Sequence, residues 1–171
     1  RASGPRPAPP PGGSQAPATG PAADPRAADR RLHLEDILRR LVADGLVAAP
    51  DAEKLRQNRA ARFDHPLELV ALQRWRTPGA NPQLLTLEYL VEWLAGKLGI
   101  PYHHIDPLKI DLAAVTATMS NAYAERFRIL PVAVDRMTLT VATAEPFVRS
   151  WAAELGQILK LDVKLVFANP Q

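Results

Sequence analysis

The residues able to do chemistry are few and poorly spaced for it. His103-His104 is the one adjacent histidine pair, and neighbours on an extended stretch point to opposite faces, which prevents both from gripping one metal ion. His33 and His65 have no partner cluster nearby in the sequence. Asp106 and Asp111 could act as paired carboxylates. Asp-Pro is a common turn opening, however, and an aspartate before an apolar run a common helix cap, so turn chemistry is preferred for both. A phosphate-cradling loop needs Gly-rich backbone leading to Lys and then Ser or Thr. Gly96-Lys97 is followed by Leu98 inside a helical pattern and cannot do this. No catalytic, metal-binding or cofactor-binding residue is expected.

Binding chemistry is the alternative. Arg39, Arg40, Arg56, Arg59 and Arg62 could form a cationic face, although Asp36, Asp44 and Glu53 are spaced to balance it on a solvated helix surface. Trp75 between Arg74 and Arg76 could stack on a base, but a tryptophan packed at a subdomain boundary is the commoner use.

The elements that must position these residues follow from periodicity. Leu34, Ile37, Leu38, Leu41 and Val42 recur at helical spacing, with Gly45 placed for a left-handed cap. Asp51 is expected to cap a second helix, and Asp64-His65-Pro66 to open a third whose inner side is Leu67, Val70 and Ala71. Thr77 to Pro82 concentrates turn formers. Thr86 is expected to cap a fourth helix bearing Leu87, Leu90, Val91, Leu94 and Leu98, ended by Gly99. Asp111 and Ser120 are expected to cap helices over 111–118 and 121–127. Strands 129–134 and 137–142 can pair across Asp135-Arg136, with Pro131 confined to an edge or a bulge. A helical period over 146–160 and a third strand over 162–167 complete the chain. The fold class is α+β: a small helical bundle followed by a compact helix-on-short-sheet domain. The boundaries expected are a disordered Pro/Ala-rich leader at 1–29, a helical subdomain at 30–76, a linker at 77–84 and an α+β subdomain at 85–171.

Composition narrows the class. Eight of the 17 prolines lie in residues 1–25 of the 171-residue chain, an arm too poor in apolar surface to offset its ordering entropy. Without residues 1–29 the chain has 18 basic and 16 acidic residues, a net charge of +2, which provides no polyanion-binding patch by count. There is no cysteine, so disulfides and thiolate metal sites are excluded. No apolar run approaches the ~20 residues needed to cross a bilayer, and the absence of an apolar signal core argues against secretion. Lacking an initiator Met, the sequence reads as an excised fragment.

One ordered set of residues carries a resemblance: Leu94-Ala95, Leu98-Gly99, Pro101, Ile105-Asp106, Leu130-Pro131, Leu139, Val141-Ala142 and Glu145-Pro146. It resembles the N-terminal domain of the bacterial traffic ATPases that power type II secretion and type IV pilus assembly. The resemblance implies a non-catalytic docking or regulatory domain, cytoplasmic and peripheral to the inner membrane. Its partners would be the cytoplasmic part of an inner-membrane platform protein and the chain's own ATPase domain, with no nucleic acid and no membrane insertion. ATP and magnesium would belong to that motor domain alone. Leu34, Ile37, Leu38 and Leu41 are the expected partner contacts. The alternative implied is a cyclic di-GMP sensor using Arg39, Arg40 and Gly45, although Asp36-Ile37-Leu38 replaces the Arg-Leu-Gly start of that version.

Overall fold

Caps, turns and apolar periods account for most of the elements in the computed structural model, which describes residues 29–58 and 65–170. Of the leader expected at 1–29, all but Asp29 lies outside the described residues, as do Arg59, Arg62 and Asp64, while Asp29 is bonded to the main chain at Arg149. Helix α1 (Leu34–Ala43) ends as expected, with Gly45 left-handed at φ 69°. Helix α2 (Ala49–Gln57) starts earlier than expected: Pro50 preorganises its first turn, so Asp51 sits inside the helix and pairs with Lys54 rather than capping. Helix α3 (Pro66–Leu72) is capped by the His65 side chain, which accepts the Leu67 N–H.

Helix α4 (Leu87–Leu98) has the expected Thr86 cap and the left-handed Gly99. The segment 77–84 joins α3 to α4, and these two helices share one core with α1 and α2. That core buries Ile37, Leu38, Leu41, Leu67, Val70, Leu90 and Leu94 and takes in Phe167 from the far end of the chain. A fully buried aliphatic side chain contributes about 1.5–3 kcal/mol before entropy is subtracted.

A 3₁₀ turn at Pro107–Lys109, α5 (Leu112–Thr116) and α6 (Asn121–Phe127) lead to the sheet, with Asp106, Asp111 and Ser120 each accepting a backbone N–H at its cap. The sheet order is β1 (Ile129–Val134), β2 (Thr138–Thr143), β3 (Asp162–Phe167), antiparallel and then parallel. The Asp135 carboxylate closes the hairpin by accepting the Met137 and Thr138 N–H groups at 2.9 and 2.8 Å. This explains a tight turn without glycine. Pro131 lies on edge strand β1 where the register shifts, as a residue without an N–H must.

Helix α7 (Ser150–Leu159) crosses from β2 to β3 and begins four residues later than its apolar period suggested. Leu139, Val141, Trp151 and Leu155 fill the layer between sheet and helix. Val132, Ala142 and Ala168 form the opposite face.

Candidate functional site

Ala144-Glu145-Pro146 follows β2 into a buried polar joint. Thr143, Glu145 and His65 are 2%, 3% and 1% exposed, respectively. The His65 Nε2–H donates to the Ala144 carbonyl at 2.9 Å while Nδ1 accepts the Leu67 N–H at 3.3 Å. The imidazole is thereby fixed as one neutral tautomer, and burial pushes its pKa down. Glu145 accepts the Leu32 N–H at 2.9 Å, and its own N–H donates to the Thr143 hydroxyl at 3.0 Å. His65, which the sequence showed without partners, is therefore a structural keystone; its acceptor lies 79 residues away.

Other candidates also take structural roles. Asp106 caps the 3₁₀ turn and Asp111 caps α5, each accepting a backbone N–H at 3.1 Å. The main-chain N–H of His103 donates to the Phe167 carbonyl, and the exposed His104 ring lies 3.4 Å from Glu88. Among the described residues no group of three or more His, Cys, Asp or Glu side chains is arranged to hold a metal ion. Lys97 bonds to Asp44 at 2.8 Å, and the Trp93 indole N–H donates to the same carboxylate at 2.8 Å. These two bonds hold the Asp44 carboxyl below its usual range. Trp75 is half-buried against the first core.

The arginines are partly neutralised. Arg39 is paired with Asp36, and Arg56 with Glu35 and Glu53 at 2.8 and 2.9 Å. Arg40 lies in the last turn of α1, and Gly45 follows that helix with no residue crowding it. The expected partner contacts need correction. Ile37, Leu38 and Leu41 are 0–1% exposed and Leu34 is half-buried, so the α1 stripe faces the chain's own core. In this conformation it offers little to a second protein.

What the surface does offer lies elsewhere. Leu108 and Leu112, flanking the Asp111 cap, are 96% and 66% exposed. Burial arises only after folding, so a hydrophobic count could not separate these leucines from core ones. A cleft of about 670 Å³ opens beside α6 and β1, lined by Glu125, Arg128, Leu130 and Thr143 with Glu68 and Asn169 at its margins.

Residues 98–171 match the family model for the MshEN domain. The match covers the C-terminal part of the chain. The chain is homologous to the N-terminal part of a type IV pilus assembly ATPase. It is 31% identical over 137 residues to the type IV pilus assembly ATPase TfpB of Acinetobacter baylyi, aligning 78% of this chain but spanning 23% of that relative. Among solved structures, MshE with cdg superposes with a TM-score of 0.52 at 23% identity, covering 82% of this chain and 92% of that one. The N-terminal domain of XpsE aligns with a TM-score of 0.45 at 16% identity, covering 82% and 91%. The matched residues 98–171 take in β1, β2, α7 and β3 of this chain.

Proposed function

We propose that this chain is a non-catalytic docking and regulatory domain of a secretion or pilus assembly ATPase. It binds the cytoplasmic part of an inner-membrane platform protein and lies on the cytoplasmic side of that membrane without inserting. The supporting observation is the 31% identity to a pilus assembly ATPase over most of the chain. The physical complement is an exposed leucine pair on a rigidly capped element, Leu108 and Leu112, because apolar side chains held in water are candidates for contact with another protein. ATP and magnesium belong, on this reading, to the motor domain of the parent protein, the second partner.

The test is a binding assay between the chain and the platform protein's soluble cytoplasmic part, using Leu108→Asp with Leu112→Asp. Loss of binding with an unchanged denaturation midpoint supports the reading. Unchanged binding removes this surface, and no binding by the unsubstituted chain removes the docking role.

The runner-up, a cyclic di-GMP sensor using Arg39, Arg40 and Gly45, draws on the structure of MshE with cdg. Asp36 weighs against it, since its carboxylate occupies Arg39 and repels an incoming phosphate. Calorimetric titration with the dinucleotide separates the two readings, and saturable heat abolished by Arg40→Ala would favour the sensor.

A further inference from the structure

At the end of β1 opposite the hairpin turn, four arginines surround one small recess. Arg30 and Arg31 come from the segment before α1, and Arg126 and Arg128 from the end of α6. Phe127 and Val148 supply its apolar wall, and its volume is about 230 Å³.

Main-chain anchors fix the arginines on the N-terminal segment. The Asp29 carboxylate accepts the N–H groups of Arg149 and Ser150 at 2.8 and 3.0 Å, and also the Ser150 hydroxyl. Arg30 N–H donates to the Phe147 carbonyl at 3.4 Å, and Leu32 N–H to Glu145 at 2.9 Å. Aromatic rings orient two of the guanidinium groups: Arg30 lies 4.4 Å over Phe147, and Arg126 5.2 Å over Phe127. A stacked guanidinium keeps its N–H edges available and has less freedom to lose when it binds an oxyanion.

The two carboxylates lining the recess are engaged elsewhere and leave the charge of Arg31 and Arg126 in place. Asp29 is engaged as the cap of α7, and Glu145 is buried and holds Leu32. Arg30 shares Asp36 with Arg39 at 3.6 Å. Neither Arg31 nor Arg126 has a carboxylate within ion-pairing distance among the described residues.

We propose that this recess binds a phosphate group, free or carried by a small molecule. A tetrahedral dianion presents oxygens toward several guanidinium forks at once, whereas a carboxylate is satisfied by one fork. The volume lies below the about 300–1,000 Å³ of drug-sized ligand pockets, so the recess suits a headgroup rather than a dinucleotide. It is separate from the proposed leucine contacts and does not depend on docking.

The experiment titrates the 171-residue chain with inorganic phosphate, glycerol 1-phosphate and acetate at matched ionic strength, followed by calorimetry and by the NMR signals of arginine side-chain N–H groups. Phosphate or the monoester should saturate in the millimolar range; the stronger of the two identifies the source. Arg31→Gln combined with Arg126→Gln should weaken binding at least about tenfold, with an unchanged circular dichroism spectrum. Arg136→Gln, at the far end of β1, should leave binding unchanged. Absence of saturation at tens of millimolar phosphate overturns the site. So does an acetate response of equal strength, or phosphate binding that survives the double substitution.

Discussion

Replacing His65 with leucine cuts the joint between α3 and the end of β2 while keeping most of the buried volume. The imidazole is 1% exposed, and both nitrogens are engaged, at 2.9 Å with Ala144 and 3.3 Å with Leu67. Leucine leaves that carbonyl and that amide without their partners. Each buried group left unsatisfied costs about 1–3 kcal/mol. Since one of the two bonds is long, the pair amounts to about 2–4 kcal/mol. Measured against a domain stability of about 5–15 kcal/mol, this is a large fraction.

Wild-type stability should also depend on pH through this residue. Burial lowers the His65 pKa; the Ala144 carbonyl and the Glu145 and Glu68 carboxylates oppose that lowering, and Arg128 adds to it. Between its lowered folded pKa and the usual value near 6.5, the unfolded chain binds the extra proton, so stability rises with pH. The contribution is fully present above about pH 6.5 and declines as pH falls from there toward the folded pKa. Urea denaturation followed by tryptophan fluorescence, at about pH 8 and about pH 5.5, tests both points. A loss under about 1 kcal/mol in His65→Leu at the higher pH, or the same pH slope in variant and wild type, refutes the reasoning.

Lys160 caps α7 at φ 56°, a conformation strained for a side-chain-bearing residue. Lys160→Gly should therefore raise stability by about 0.5–1 kcal/mol in the same urea assay. Thr86→Ala removes the hydroxyl that accepts the Tyr89 N–H at 3.1 Å, and should cost about 1 kcal/mol, visible as a lower denaturation midpoint. Leu108→Asp with Leu112→Asp should shift stability by less than about 0.5 kcal/mol per site, because neither side chain is packed. A larger loss would mean that the two leucines belong to the fold. Burial raises the Tyr123 pKa, and the bond to Glu154 adds to this, bringing it to about 12. Ultraviolet titration should find one phenol ionising at about pH 12, and Glu154→Gln should lower that midpoint.

Local signals were the legible part of this chain. Thr86, Asp111 and Ser120 cap where their residue types indicate, and Pro131 sits at the bulge its missing N–H demands. Where local rules compete, Pro50 outranks Asp51 as a start signal and moves α2 back by one turn. What stayed illegible is nonlocal. The cap of α7 is Asp29, 120 residues upstream of the Arg149 amide it holds, so nothing near Ser150 could show where that helix begins. His65 lacked neighbours in sequence because its acceptor is contributed by β2. The Leu34 to Leu41 stripe reads identically whether it meets a partner or α2 and α3, and only the assembled core decides.

Those nonlocal ties bear on how force would cross the domain. The links that join the helical layer to the sheet layer include His65 to Ala144, Leu32 to Glu145, and Phe167 seated in the first core. Asp29 adds another by holding the start of α7. The exposed leucines sit beside α5, which packs on β1. A load applied there enters the sheet directly and reaches α1 to α4 through buried, hydrogen-bonded contacts. Close-packed interiors transmit displacement with little slack, so the two layers should move as one body. Cutting the His65 tie should loosen that coupling before the helices unfold. In His65→Leu, hydrogen exchange at the Ala144 to Pro146 turn should accelerate while the amides in the middle of α4 remain protected. Equal acceleration in both places would mean that the layers melt together and that the joint carries no separate mechanical role.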